Sequence, residues 1–147
     1  MGGRTDKIST RIRKEKVGNN PSRHYLMMKS GKLKSHYEWT KEISTNEYCE
    51  LVKFQGNSIS ISKTRYIIKS STNPNINVEL DIYHDNLEGL MIAEVEDVSG
   101  NTSIIDNYQP ESWFASEVTN DPDFYNVNLS YKNKKPHRNF IKNLIRK

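Results

Sequence analysis

Four pairs of full charges stand two residues apart along this chain: Arg11 and Arg13, Lys63 and Arg65, Glu79 and Asp81, Glu94 and Glu96. Lys29 ends another segment in the same fashion, and Glu38 and Glu42 flank Thr40 in a further one. Side chains two apart on a strand leave the same face. The residues between them, Ile12, Thr64, Leu80 and Val95, are largely apolar, so the opposite face is the one that packs. The pairs are also sorted by sign, two segments supplying cations and two supplying carboxylates. Full charges are costly to desolvate unless something compensates them. A curved sheet gathering such rows therefore encloses water, counterions or a bound polyanion, which is the chemistry of a charged binding groove. The alternative is an ordinary antiparallel sheet with a polar solvent face, although such a face usually mixes in Ser, Thr, Asn and Gln.

The whole-chain charge repeats this segregation. Residues 1–35 hold ten basic and two acidic side chains, a net of +8; residues 36–128 hold five and sixteen, a net of −11; residues 129–147 hold seven and none, a net of +7. The total of +4 conceals a strongly acidic middle, which is not the uniform basic stripe of a nucleic-acid binder. At 147 residues the length reads as one ordinary domain. The single cysteine, Cys49, excludes a disulfide framework and a multi-cysteine zinc site. No apolar run approaches the roughly 18 residues of a membrane span. The opening MGGRTDKIST lacks the apolar core of a secretory signal. A cytoplasmic protein with no membrane partner is expected.

The elements that must position these pairs are mostly short strands. Period-two alternation predicts strands over Ile8–Lys14, His24–Lys29, Ser35–Ile43, Ser58–Ile68, Val78–Tyr83 and Met91–Val98. Ser30-Gly31 closes the second, and turns are predicted over Val17–Ser22, Ser70–Asn77 and His84–Gly89. Ser44-Thr-Asn-Glu47 has capping-box spacing, and Tyr48, Leu51 and Val52 continue it as a helix ending near Gly56. Cys49 on that helix is expected to be buried or half-buried. Short helical patches are predicted at Glu111–Ala115 and Asp121–Asn126. His24, His36, His84 and His137 are scattered and read as surface or structural residues. Residues 131–147 read as a basic, helical tail with Phe140, Ile141, Leu144 and Ile145 on one face. Such a tail could self-dock or touch an anionic surface.

In order, Thr10-Arg-Ile-Arg13, Leu26-Met-Met-Lys29, Tyr37-Glu38 with Glu42-Ile43, Lys63-Thr-Arg-Tyr66, Glu79-Leu-Asp-Ile82 and Ala93-Glu-Val-Glu96 resemble the CYTH domain, the fold of the triphosphate tunnel metalloenzymes. Trp113-Phe-Ala-Ser-Glu-Val-Thr119, then Asp121, Phe124-Tyr-Asn126 and Leu129, are similar to that family's closing W-F-G-x-E-V-T and aromatic-x-Asn signature. Ala115 replaces the usual glycine, and Val127 stands where some members carry lysine. The resemblance implies an α+β fold: an antiparallel β-barrel with flanking helices over residues 1–130, its charged tunnel built for a triphosphate. It implies that Arg11, Arg13, Lys29, Lys63 and Arg65 bind phosphate, with Lys63 and Arg65 also catalytic. It likewise implies that Glu94, Glu96, Glu79, Asp81 and Glu38 hold Mg2+ or Mn2+, hard cations suited to carboxylate oxygen. The family's first strand, E-x-E-x-K, has no counterpart, so the expected fold lacks that strand.

The leading expectation is a metal-dependent triphosphatase acting on inorganic tripolyphosphate or on a nucleoside or thiamine triphosphate, with adenylate cyclisation also known in the family. The alternative, favoured by the missing strand, is a tunnel that sequesters a nucleotide or polyphosphate without cutting it. The partner in either case is a small triphosphate-containing molecule, and a homodimer is compatible with both. A basic nucleic-acid binder ranks third.

Overall fold

Alternation of Ile8, Thr10 and Ile12 with Ser9, Arg11 and Arg13 produces strand β1 (Ile8–Glu15). It pairs antiparallel with β2 (Arg23–Lys32), which pairs antiparallel with β3 (Ser35–Ile43). Gly18 takes φ +54° in the intervening turn, a left-handed backbone that glycine adopts without a Cβ clash. β2 runs beyond Ser30-Gly31 because the ladder continues through Ser30 opposite Tyr37 and Gly31 opposite His36. Strand pairing there overrides weak local propensity. The computed structural model describes residues 8–32, 35–99, 103–131 and 143–146. The chain divides into two compact units, Met1–Asn57 and Ser58–Lys147.

The first unit is completed by α1 (Thr45–Val52). The Glu47 backbone N–H donates to Ser44 Oγ at 3.2 Å, and the Ser44 N–H donates to Glu47 Oε2 at 2.7 Å, forming the predicted capping box. Hydrogen bonds from Ser44 hold the Glu47 carboxyl below its ordinary range. The buried His24 ring lies 4.7 Å from Tyr48, a structural role, with Met27 and Ile43 buried in the same unit. No residue of α1 is buried, so Cys49 is exposed rather than packed as expected.

In the second unit β4 (Lys63–Lys69), β5 (Ile76–Tyr83) and β6 (Met91–Asp97) form antiparallel neighbours. β4 is shorter than the predicted Ser58–Ile68. Residues 58–62 instead anchor elsewhere: Ile59 N–H donates to the Ser130 carbonyl at 2.6 Å and Ser62 accepts from His84 N–H at 2.9 Å. A 3-10 turn at Asp85–Leu87 joins β5 to β6, and beyond β6 come α2 (Ser103–Asp106), β7 (Ser116–Glu117), a 3-10 turn at Pro122–Phe124 and α3 (Asn126–Leu129). The helical patch predicted at Glu111–Ala115 is a turn. β8 (Asn143–Arg146) inserts between β6 and β7, giving the order β4-β5-β6-β8-β7. The predicted tail helix is a strand over these four residues, where an open β6 edge offers hydrogen-bond partners; residues 132–142 lie outside the described residues. β8 pairs parallel with both neighbours, so the second sheet is mixed, not wholly antiparallel.

The fold is thus α+β, with two sheets and few helices, and no ladder joins the sheets among the described residues. One face of the larger sheet packs Ile76, Val78, Ala93 and Val95 against Tyr108, Trp113 and Phe114. Tyr83, Leu87, Leu90, Ile92, Val118, Phe124 and Leu129 form a second cluster. A fully buried aliphatic side chain of this kind contributes about 1.5–3 kcal/mol. No helix among the described residues is long and apolar enough to cross a membrane.

Candidate functional site

Each sheet carries one charged face, and strand register determines its members, because residues directly opposite across a ladder share a face. In the smaller sheet Arg11 lies opposite Met27, Arg13 opposite Tyr25, and Lys29 opposite both Ser9 and Glu38. Arg11 Nη2 is 3.6 Å from Glu38 Oε1, and Arg11 Nε lies 3.4 Å from Met27 Sδ. Arg13 Nη2 is 3.6 Å from Glu15 Oε1, its guanidinium 5.0 Å from the Tyr25 ring centroid. Among the described residues the covered Arg13 Nε has no hydrogen-bond partner. The contacts are long and the side chains stay open, Arg11 at 55% and Arg13 at 42% exposure. The outermost pair is Arg23 and Glu42, in a two-pronged contact that lowers the Glu42 pKa.

The larger sheet treats its cations differently. Arg65 stands opposite Asp81, and Glu79 opposite Glu94. Arg65 Nε donates to Asp81 Oδ1 and Arg65 Nη2 to Asp81 Oδ2, both at 2.6 Å. Arg65 Nη1 bonds Glu79, and Nη2 reaches Glu94 Oε2 at 3.3 Å. Lys63 Nζ also bonds Asp81. Asp81 is wholly enclosed at 0% exposure, beneath Lys63 at 24% and Arg65 at 31%. Glu79 and Glu94 are buried too. Three carboxylates therefore surround one guanidinium, with a lysine sharing the deepest of them.

Electrostatics follow from this packing. Burial is the largest influence on Asp81 and works to raise its pKa, yet the Arg65 hydrogen bonds and the Lys63 charge outweigh it and hold the carboxyl below its ordinary value. Burial likewise opposes the Arg65 charge, but Asp81, Glu94 and Glu79 push its pKa above the ordinary range. For Lys63 burial wins, lowering its pKa despite Asp81. Burial also pushes the Tyr83 phenol up, with Asp81 and Glu94 adding to the shift.

The sign-sorted pairs found by spacing are thus gathered on common faces within each sheet. Glu96 sits half-buried opposite Asn77, two residues along from Glu94 on the same face. Among the described residues no three His, Cys, Asp or Glu side chains are grouped closely enough to hold a metal ion. The donor chemistry nevertheless fits magnesium or manganese, since Glu79, Asp81 and Glu94 offer only carboxylate oxygen. In their present arrangement both Asp81 oxygens and one oxygen each of Glu79 and Glu94 bond Arg65 or Lys63.

Two residues with buried polar contacts escape the charge-pair reading. Tyr83 continues the Glu79, Asp81 alternation onto the same face, lies opposite Lys63, and places its ring centroid 5.5 Å from Lys63 Nζ. Extending the period-two count by one step would have found it. Glu111 accepts from Ser70 Oγ at 2.7 Å, Ser71 N–H at 3.0 Å and Tyr108 OH at 3.0 Å, and also bonds Ser71 Oγ. These bonds, the Ser71 hydroxyl first, lower its pKa and tie the turn after β4 to the loop after α2. No local pattern signals it.

No family model matches the chain. It is 31% identical over 106 residues to an inorganic triphosphatase of Acetivibrio thermocellus, an alignment covering 72% of this chain and 62% of that protein. The chain therefore spans less than two thirds of that relative's length. The crystal structure of the hypothetical protein NE1496 superposes with a TM-score of 0.56 at 25% identity, covering 89% of this chain and 80% of the other. The strand arrangement and these two similarities support the resemblance of the ordered motifs from Thr10 to Leu129 to the CYTH domain.

Proposed function

We propose that this protein binds and hydrolyses a triphosphate, with inorganic tripolyphosphate the first substrate to test and a nucleoside or thiamine triphosphate the next. The observation that carries the reading is the enclosed cluster of Lys63 and Arg65 over Asp81, Glu79 and Glu94, in a chain similar to an inorganic triphosphatase. Arginine's planar fork suits phosphate oxygens bidentately, while lysine acts as a point charge. Arg11, Arg13 and Lys29 share one face of the smaller sheet and supply the second cationic set. The CYTH tunnel barrel and the cytoplasmic setting are part of this proposal.

Glu79, Asp81, Glu94 and Glu96 are the carboxylates of the larger sheet proposed to hold Mg2+ or Mn2+; Glu38, also expected as a metal ligand, lies beside Arg11 in the smaller sheet. A bound ion of that kind supplies Lewis-acid polarisation of a phosphoryl oxygen. The chain's own contribution is positional: Asp81 fixes Lys63 and Arg65 with their donors on one face, and burial strengthens every charge contact there.

Phosphate release from tripolyphosphate in the presence of Mg2+ or Mn2+ tests the proposal directly. Lys63→Met is expected to abolish release while the protein stays folded. Absence of release by the unaltered protein, with either ion, overturns the enzymatic reading. The second reading is sequestration without turnover, favoured by the engagement of all three carboxylates with Lys63 and Arg65. It predicts tripolyphosphate binding that needs no metal and yields no phosphate.

A further inference from the structure

The aromatic-x-Asn signature near the end of the family match does no chemistry in the cluster just described, yet it reaches it. Asn126 opens α3, and its Oδ1 accepts from Tyr83 OH at 2.8 Å across 43 positions of sequence. Tyr83 is 1% exposed, and its ring sits among Leu87, Leu90, Ile92 and Phe124. On its other side lies Lys63, opposite in the ladder, with the ammonium 5.5 Å from the ring centroid. A cation over an aromatic face is attracted by the ring's quadrupole, more strongly where water is excluded. A buried tyrosine hydroxyl also needs a partner, and Asn126 provides it. The bond therefore fixes how far the ring can rotate or slide, and the ring fixes where the ammonium rests.

We propose that Tyr83 and Asn126 act together as positioning residues for Lys63, linking the C-terminal signature to the phosphate-binding face. The link rests on the reading of Lys63 as a phosphate ligand only for its functional consequence; the mechanical coupling stands by itself. Asp81 holds the ammonium from the carboxylate side and Tyr83 from the ring side, so two of its approaches are set before any anion arrives. If the whole worth of that hydrogen bond, about 1 kcal/mol, were expressed in placing the ammonium for an anion, its loss would weaken affinity by at most about fivefold.

The test uses the full chain with two readouts. First, ring-current shifts of the Lys63 ε-methylene protons are measured by NMR in the unaltered protein, in Tyr83→Phe and in Asn126→Ser. The expected result is an upfield shift in the parent protein that moves toward the free-lysine value in both variants, while their spectra remain dispersed. Tyr83→Phe keeps an aromatic ring in the apolar cluster and removes only the bond to Asn126 that holds it in place, so it guards against a variant that fails to fold. Unchanged Lys63 shifts in both variants overturn the proposal. Second, tripolyphosphate affinity is measured by calorimetry. Each substitution is expected to weaken it measurably, by up to about fivefold, and combining them should cost little more than either alone. Equal, fully additive losses also overturn the pairing. If the NMR coupling appears but the parent protein binds no tripolyphosphate, the triphosphate reading fails and the positioning pair survives.

Discussion

The two sheets solve the same electrostatic problem in opposite ways. Arg11 and Arg13 remain largely open to water and touch their carboxylates at 3.6 Å, whereas Lys63 and Arg65 sink over an enclosed Asp81 with contacts of 2.6 Å or less. Water can compensate the first set, so little depends on the pairs that form. In the second set water is replaced by carboxylates, and removing one partner leaves the others stranded. Cations of the same type, read identically from the sequence, therefore differ in what they do for the fold.

Substitutions can break or sharpen that contrast. The largest effect is expected from Asp81→Ala, which takes from Lys63 its bonded carboxylate and from Arg65 two of its hydrogen bonds and should cost about 3 kcal/mol in urea denaturation. A loss below 1 kcal/mol would erase the distinction between the sheets. The pH dependence comes next. Asp81 is held below its ordinary value near 3.8. The unfolded chain therefore takes up this proton first as pH falls. The stability from Asp81 is fully present above that ordinary value and is lost as pH drops through the folded one. Asp81→Asn should flatten this acid limb of the stability curve. Ser44→Ala removes the capping box of α1 and is expected to cost about 1 kcal/mol, read as a lower thermal midpoint. Arg11→Ala should change stability by about 0.5 kcal/mol or less, while weakening tripolyphosphate binding measured by calorimetry. A large loss of stability would mean that the smaller sheet uses its cations structurally.

Much of this architecture was legible because its signals are local. β3 has the predicted bounds of Ser35–Ile43, and the Ser44–Glu47 capping box forms as its spacing requires. The CYTH resemblance, too, could be read from motifs in order along the chain. The failures come from contacts distant in sequence. Residues 58–62 alternate like a strand, but their partners are Ser130 and His84 rather than a neighbouring ladder. Ile145 and its neighbours have helical spacing, yet the β6 edge recruits residues 143–146 as a strand. The carboxylate pairs were recognisable by their i, i+2 spacing; that Asp81 would lie enclosed beneath two cations was not, since spacing reports a face and says nothing of depth. Tyr83 and Asn126 meet only because the fold brings α3 to β5.

The carboxylates around Arg65 carry a consequence for ionic strength. An anion arriving at Lys63 and Arg65 must compete with Asp81, Glu79 and Glu94, which act as built-in rivals rather than exchangeable salt ions. Added electrolyte screens the incomer's attraction and the rivals' grip alike. Affinity at this face should therefore decline only gently with salt, more gently than two unencumbered cations would allow.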